Sequence, residues 1–157
     1  MNRVADTGEF LYSFLDEVLV ACPRCGACGF SRSLDGNPRW DAPRRLTCPH
    51  CAHTQGWDGA RFRSDERAAL DPHFTLPLWL QAPCCGETLW AYNVGHLDFL
   101  ASYVGATLRE RKPDQYGWSN RSLASRLPAW IKARKHRDEV LRVIARLRDR
   151  LPKPGER

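Results

Sequence analysis

A chain of 157 residues that is 43% hydrophobic and 27% charged suits one compact domain, or a small metal-stapled lobe beside a modest helical one. Asp6, Glu9, Asp16 and Glu17 argue against a secretory signal at the start, and no stretch nears the roughly 20 apolar residues of a membrane span. The net charge of +6 is uneven: residues 109–157 hold 15 Lys and Arg against 6 Asp and Glu, a local +9, while the remainder is mildly acidic.

Taken in chain order, Phe10, Leu11, Phe14 and Leu15 fall at helical spacing, and Val18-Leu19-Val20 suits a strand, so a short helix followed by a strand is expected. That strand enters Cys22-Pro23-Arg24-Cys25. A second knuckle, Cys48-Pro49-His50-Cys51, follows 22 residues later, with the turn signal Asp35-Gly36-Asn37-Pro38 between them. Strand, turn and strand joined at their ends by paired CxxC knuckles is the pattern of a zinc ribbon. Each knuckle turns two sulfurs to one side, and four thiolates complete a tetrahedral Zn²⁺. Gln55-Gly56-Trp57-Asp58-Gly59 reads as an exit strand and turn.

Residues 60–75 read as a packed, irregular linker containing Asp71-Pro72 and Pro77 just beyond. Two apolar runs around Pro83-Cys84-Cys85-Gly86 then predict a second hairpin within Leu78–Tyr92. Asn93 is placed to cap a helix from about Gly95 to Arg111, with Leu97, Leu100, Ala101, Val104 and Leu108 on one face. Residues 112–120 read as a loop, and Ser122 to Leu127 as a short helix. A last long helix is expected from about Ala129 to Leu151. Its apolar face carries Ala133, Val140, Ile144, Leu147 and Leu151, and its basic face Lys132, Lys135, Arg142, Arg146 and Arg150.

The ribbon with Ala42-Pro43-Arg44-Arg45-Leu46, then Leu76-Pro77-Leu78-Trp79-Leu80-Gln81, Cys84-Cys85-Gly86, Leu89-Trp90-Ala91-Tyr92-Asn93 and Ser125-Arg126-Leu127-Pro128-Ala129-Trp130-Ile131-Lys132, resembles small bacterial proteins described as containing a zinc ribbon of the transcription-factor-IIB type. The resemblance spans roughly residues 17–151 and implies a metal site rather than an activity. The second knuckle departs from the usual pattern, since Ala52 stands where a glycine commonly follows.

The expected fold class is therefore α+β, an N-terminal zinc ribbon with a second β-hairpin and a C-terminal helical part. Three segments are read: residues 1–59 for the N-terminal helix, strand and ribbon, 60–93 for the linker and aromatic-rich hairpin, and 94–157 for the basic helical region. They are expected to pack as one unit. Cys22, Cys25, Cys48 and Cys51 are assigned one structural Zn²⁺, and their closed coordination argues against catalysis by that metal. Cys28 is the alternative to Cys22.

A second site drawing on Cys28, Cys84, Cys85 and His50, His53 or His73 is outweighed by two small buried thiols at a turn. The pairing of a nucleophilic cysteine with His96 is weaker still. Trp79, Trp90, Trp118 and Trp130 read as core in preference to base-stacking platforms. Lys132, Lys135, Arg142, Arg146 and Arg150 are the candidate nucleic-acid contacts, weighed against an ordinary solvated face. A non-enzymatic, nucleic-acid-associated or regulatory ribbon protein is the leading expectation, with an adaptor or inhibitor of one protein partner as the alternative. Seven cysteines partly in CxxC form point to reduced thiols in the cytoplasm, and no membrane partner is expected.

Overall fold

Strand β2 (Glu17–Ala21) organises the molecule, because Val18, Leu19 and Val20 are all buried and both of its edges are used. On one side it pairs antiparallel with β3 (Cys28–Ser33), which pairs with β4 (Arg44–Thr47), which pairs with β5 (Thr54–Gly56). On the other side the Trp79 amide donates to the Leu19 carbonyl at 3.0 Å, and the Leu19 amide donates to the Tyr92 carbonyl at 2.9 Å. The ribbon sheet and the second hairpin, β6 (Leu80–Cys84) with β7 (Glu87–Ala91), are thereby joined through backbone. A buried strand edge with its amides and carbonyls satisfied avoids the penalty of orphaned polar groups.

The structure, a computed structural model, describes residues 3–6, 11–37, 39–57, 59, 61–63, 68–106, 108–111 and 127–157. Trp118, the expected loop at 112–120 and nearly all of the short helix expected from Ser122 lie outside them. β1 (Arg3–Asp6) pairs in parallel with β8 (Leu108–Arg111). The fold is α+β, with antiparallel strands toward the N-terminus, helices toward the C-terminus and the cysteine cluster in the N-terminal region. No helix among the described residues is long and apolar enough to cross a membrane.

Three expected elements are corrected. Helix α1 (Val94–Gly105) begins at the Asn93 cap, whose Oδ1 accepts from the His96 amide at 3.0 Å, but it stops at Gly105 rather than Arg111. Leu108–Arg111 instead answers the distant strand Arg3–Asp6, a long-range pairing that overrides local helical pattern. The last helix is broken. Four residues of helix α2 (Ala129–Lys132) are followed by Ala133 in extended geometry, a 3-10 turn at Arg134–His136, and helix α3 (Arg137–Asp149). Alanine favours helix, so the break is held by contacts on either side of it, one local and one distant: the His136 ring Nδ1 engages the Trp130 carbonyl at 2.7 Å, and Arg137 reaches the Ala106 carbonyl at 2.8 Å.

The N-terminal helix shrinks to one 3-10 turn, Leu11–Phe14. Asn93 ties this turn to α1, its Nδ2 donating to the carbonyls of Phe14 (2.7 Å) and Glu17 (2.6 Å). One core cluster runs from Val18, Phe30 and Leu46 of the ribbon through Leu80 and Leu89 of the hairpin to Leu97, Leu100, Val140, Ile144 and Leu147 of the helices. Trp79, Trp90 and Trp130 pack against it partly buried.

Candidate metal centre

Both CxxC knuckles sit at one end of the ribbon sheet, because one links β2 to β3 and the other links β4 to β5. Their backbones close alike. The Gly26 amide returns to the Cys22 carbonyl at 2.9 Å and the Ala52 amide to the Cys48 carbonyl at 2.8 Å, while the Cys22 and Cys48 amides reach Ala27 and His53 carbonyls at 2.8 and 2.9 Å. The residue after each knuckle is left-handed, Gly26 at φ 77° and Ala52 at φ 64°. The missing glycine of the second knuckle therefore does not change the turn, and alanine carries its strain.

The Cys22 and Cys51 sulfurs are 3.7 Å apart and those of Cys25 and Cys48 are 3.6 Å apart, with all four within 4.8 Å of one another. A tetrahedral ion with metal–sulfur bonds of about 2.3 Å has sulfur–sulfur edges of about 3.8 Å. The four cysteines could thus hold one metal ion. Cys22 and Cys48 are buried, Cys51 is half-buried and Cys25 is exposed.

The protonation pattern shows why a cation suits the cluster. Burial raises the Cys22 thiol, but the amides of Cys25 and Arg24 and the sulfurs of Cys51 and Cys48 outweigh it and pull it down to about 6. At Cys25 the Ala27 amide favours the thiolate, yet burial and the three other sulfurs carry the group up to about 12. One sulfur ionises at the expense of its neighbours. Four thiolates in contact require a positive charge among them.

Cys28, the alternative ligand, lies on β3 with its thiol directed to the Gly29 carbonyl at 3.8 Å. It is not a member of the cluster. Burial first, then the negative charge of Cys48 and Glu17, pushes it up to about 12. The second site weighed above from Cys28, Cys84, Cys85 and a histidine does not form with that ligand set. Cys84 and Cys85 come together, 3.7 Å between sulfurs, but the third group is Glu139 of α3. His73 instead donates from Nε2 to the Trp40 carbonyl at 2.7 Å. His96 is a core histidine: its Nδ1 accepts from the Tyr92 amide at 3.1 Å and its ring stacks on Phe14 at 5.1 Å, so it serves no cysteine as a base.

The break at Ala133 distributes the candidate phosphate contacts over three elements, Lys132 in α2, Lys135 in the 3-10 turn, and Arg142 and Arg146 on α3, with Arg150 just past its end. They no longer share one helical wheel. Lys135, Arg142, Arg146 and Arg150 are exposed and Lys132 is half-buried. Arg150 lies over the Trp79 ring at 4.5 Å and reaches the Gln81 carbonyl at 3.3 Å, so it fastens the hairpin to α3.

Two polar groups carry structural weight that sequence reasoning passed over. Arg44 is buried in β4, its guanidinium donating to the Leu15 carbonyl (2.5 Å), the Ser31 hydroxyl (3.1 Å) and the Ser31 carbonyl (3.0 Å). Asp71 is buried in the linker and accepts from the amides of His73, Phe74 and Leu76 at 2.8 to 3.1 Å. The alternation of β4 was the available signal for Arg44, since residues 44 and 46 must face the same way. No protein-family model, curated protein or solved structure matches the chain, so the resemblance seen in the sequence stands on its own residues and on this four-cysteine cluster.

Proposed function

We propose that this is a non-enzymatic zinc-ribbon protein that associates with nucleic acid, with Zn²⁺ closing the ribbon and the helical region supplying the contact. The observation that carries the reading is the open basic surface. Arg142 and Arg146 project from the exposed side of α3, opposite buried Val140, Val143, Ile144 and Leu147, and form no ion pair among the described residues. They lie in the segment with a local charge of +9.

Such a face attracts phosphates and releases counterions, without implying base readout. Four thiolates fill the tetrahedral zinc, leaving it no position for substrate. A transcription-factor-IIB type of ribbon would agree with a nucleic-acid setting.

The test is fluorescence anisotropy of zinc-loaded protein with labelled duplex and single-stranded DNA and RNA across a salt series. Binding should weaken as salt rises, and Arg142→Ala with Arg146→Ala should lower the duplex slope of log K against log salt by about 0.9 per lost phosphate contact. Absence of salt-sensitive binding to all of these probes defeats the reading. The adaptor reading now draws on a different surface. Trp79 is covered by Arg150, whereas Leu34 (59% exposed) and Trp40 (48% exposed) stand out on the β3–β4 connection, and an apolar partner would meet the ribbon there.

A further inference from the structure

We infer that Cys84, Cys85 and Glu139 form a second zinc site, open on one side and separate from the ribbon's cluster. The three residues come from two elements packed together. Cys84 ends β6, Cys85 opens the turn to β7, and Glu139 stands in the first turn of α3.

Neighbouring cysteines on a flat strand would point to opposite faces. Here the turn prevents that. Cys85 at φ 53° and Gly86 at φ 78° are both left-handed, as a two-residue hairpin turn of the mirror-image kind requires. The first of these positions usually belongs to asparagine, aspartate or glycine, and a cysteine there pays a conformational cost. In return its sulfur lies 3.7 Å from that of Cys84.

Glu139 completes the triangle. The Cys85 amide holds Oε1 at 3.2 Å, which orients the carboxylate, and Oε2 lies 3.3 Å from the Cys85 sulfur. For tetrahedral zinc with bonds of about 2.3 Å to sulfur and about 2.1 Å to oxygen, the edges are about 3.8 Å between sulfurs and about 3.6 Å between sulfur and oxygen. The sulfur–sulfur edge matches closely, the edge from the Cys85 sulfur to Glu139 falls within a few tenths of an ångström, and all three ligand atoms lie within 4.8 Å of one another. Its sulfur–sulfur edge equals the Cys22–Cys51 edge of the ribbon cluster.

A thiol hydrogen-bonded to a carboxylate would account for Cys85 and Glu139. It gives no reason for the Cys84 sulfur to share the spot. Two thiolates and one carboxylate suit borderline-soft Zn²⁺ over Mg²⁺ or Ca²⁺, which take oxygen ligands. Cys84 is buried, Cys85 half-buried and Glu139 exposed. Three protein ligands with a solvent-facing side leave a fourth position for water or an incoming ligand, unlike the closed ribbon. The ion would also pin the hairpin turn to α3.

The test uses the full-length, tag-free chain, reduced and stripped with a chelator, then titrated with Zn²⁺ against a chromophoric competitor and with Co²⁺ by absorption. Wild type should take two ions per chain with separable affinities. Glu139→Gln should weaken only the weaker site, by at least about tenfold, the scale on which metal sites answer to altered ligand surroundings, and Cys85→Ser should reduce the stoichiometry to one. The four-thiolate Co²⁺ absorption should persist in both. One ion per wild-type chain overturns the inference, as does a Glu139→Gln chain that takes two ions with unchanged affinities. Glu139 is exposed, so its variant remains informative even where Cys85→Ser fails to fold, with circular dichroism reporting the fold of each.

Discussion

At Ala52, one methyl group separates the two knuckles. Its φ of 64° mirrors the 77° of Gly26, and a left-handed residue with a Cβ costs roughly 1–2 kcal/mol. Glycine would remove that cost while adding about 0.5–1 kcal/mol of unfolded-state entropy. Ala52→Gly should therefore stabilise the metal-loaded chain by about 0.5 kcal/mol in denaturant unfolding, and Ala52→Val should destabilise it, since β-branched residues resist this region. A destabilising glycine variant would show that the turn is held by something other than backbone conformation. The CxxC spacing was readable because chemistry fixes it locally. Glu139 beside Cys85 was not, because the two are 54 positions apart in sequence and only the packing of α3 on β6 unites them.

Among the elements, β4 shows how strict alternation can bury a charge. Arg44 and Leu46 face inward while Arg45 is exposed, so a reading of Arg44-Arg45 as a basic pair misses that the two serve opposite faces. Burial pulls the Arg44 guanidinium down to about 10, with Asp71 and Asp16 opposing, and it stays charged at neutral pH. Arg44→Met would keep the apolar stem but orphan the Leu15 and Ser31 carbonyls and leave buried Asp71 without its nearby cation. Breaking such a network costs about 3–5 kcal/mol, to be read as a lowered denaturation midpoint with unchanged m-value; a loss below about 1 kcal/mol would mean that the carbonyls find other donors. The hairpin at Leu80–Ala91 and the Asn93 cap were legible from turn and capping chemistry. The pairing of β1 with β8 and the break at Ala133 were not, since the first depends on a strand about a hundred residues away and the second in part on the distant Ala106 carbonyl.

For the whole molecule, the α+β order was legible because metal knuckles, turn residues and helical periodicity occupy successive stretches. How the parts join was not: it rests on the open edge of β2 meeting Trp79 and Tyr92, and on two histidines sealed in the resulting interior. His96, 2% exposed, is pushed down to about 3 by burial. His73, 4% exposed, is pushed down to about 4 by burial and then by the Arg44 charge, against the Trp40 carbonyl. Its Nδ1 is buried without a partner among the described residues. Both folded values lie below the 6.5 of a free histidine. Between the two values the unfolded chain takes up a proton that the folded chain refuses, so stability falls as pH drops from about 6.5 and the loss ends once the folded histidine also protonates. At about 1.4 kcal/mol per pH unit for each group, the pair should cost about 4 kcal/mol between pH 7 and 5. Asp71, raised by burial despite its three amide donors and Arg44, acts in the opposite sense, and does so in wild type and His96→Gln alike. Thiolate protonation and metal release also grow in acid, but they are common to wild type and histidine variants. Denaturant unfolding of wild type and His96→Gln at pH 7, 6 and 5 should therefore show the variant losing about 2 kcal/mol less over that range. Equal losses in the two chains would remove His96 from the acid response and leave His73 and the cysteines as its sources.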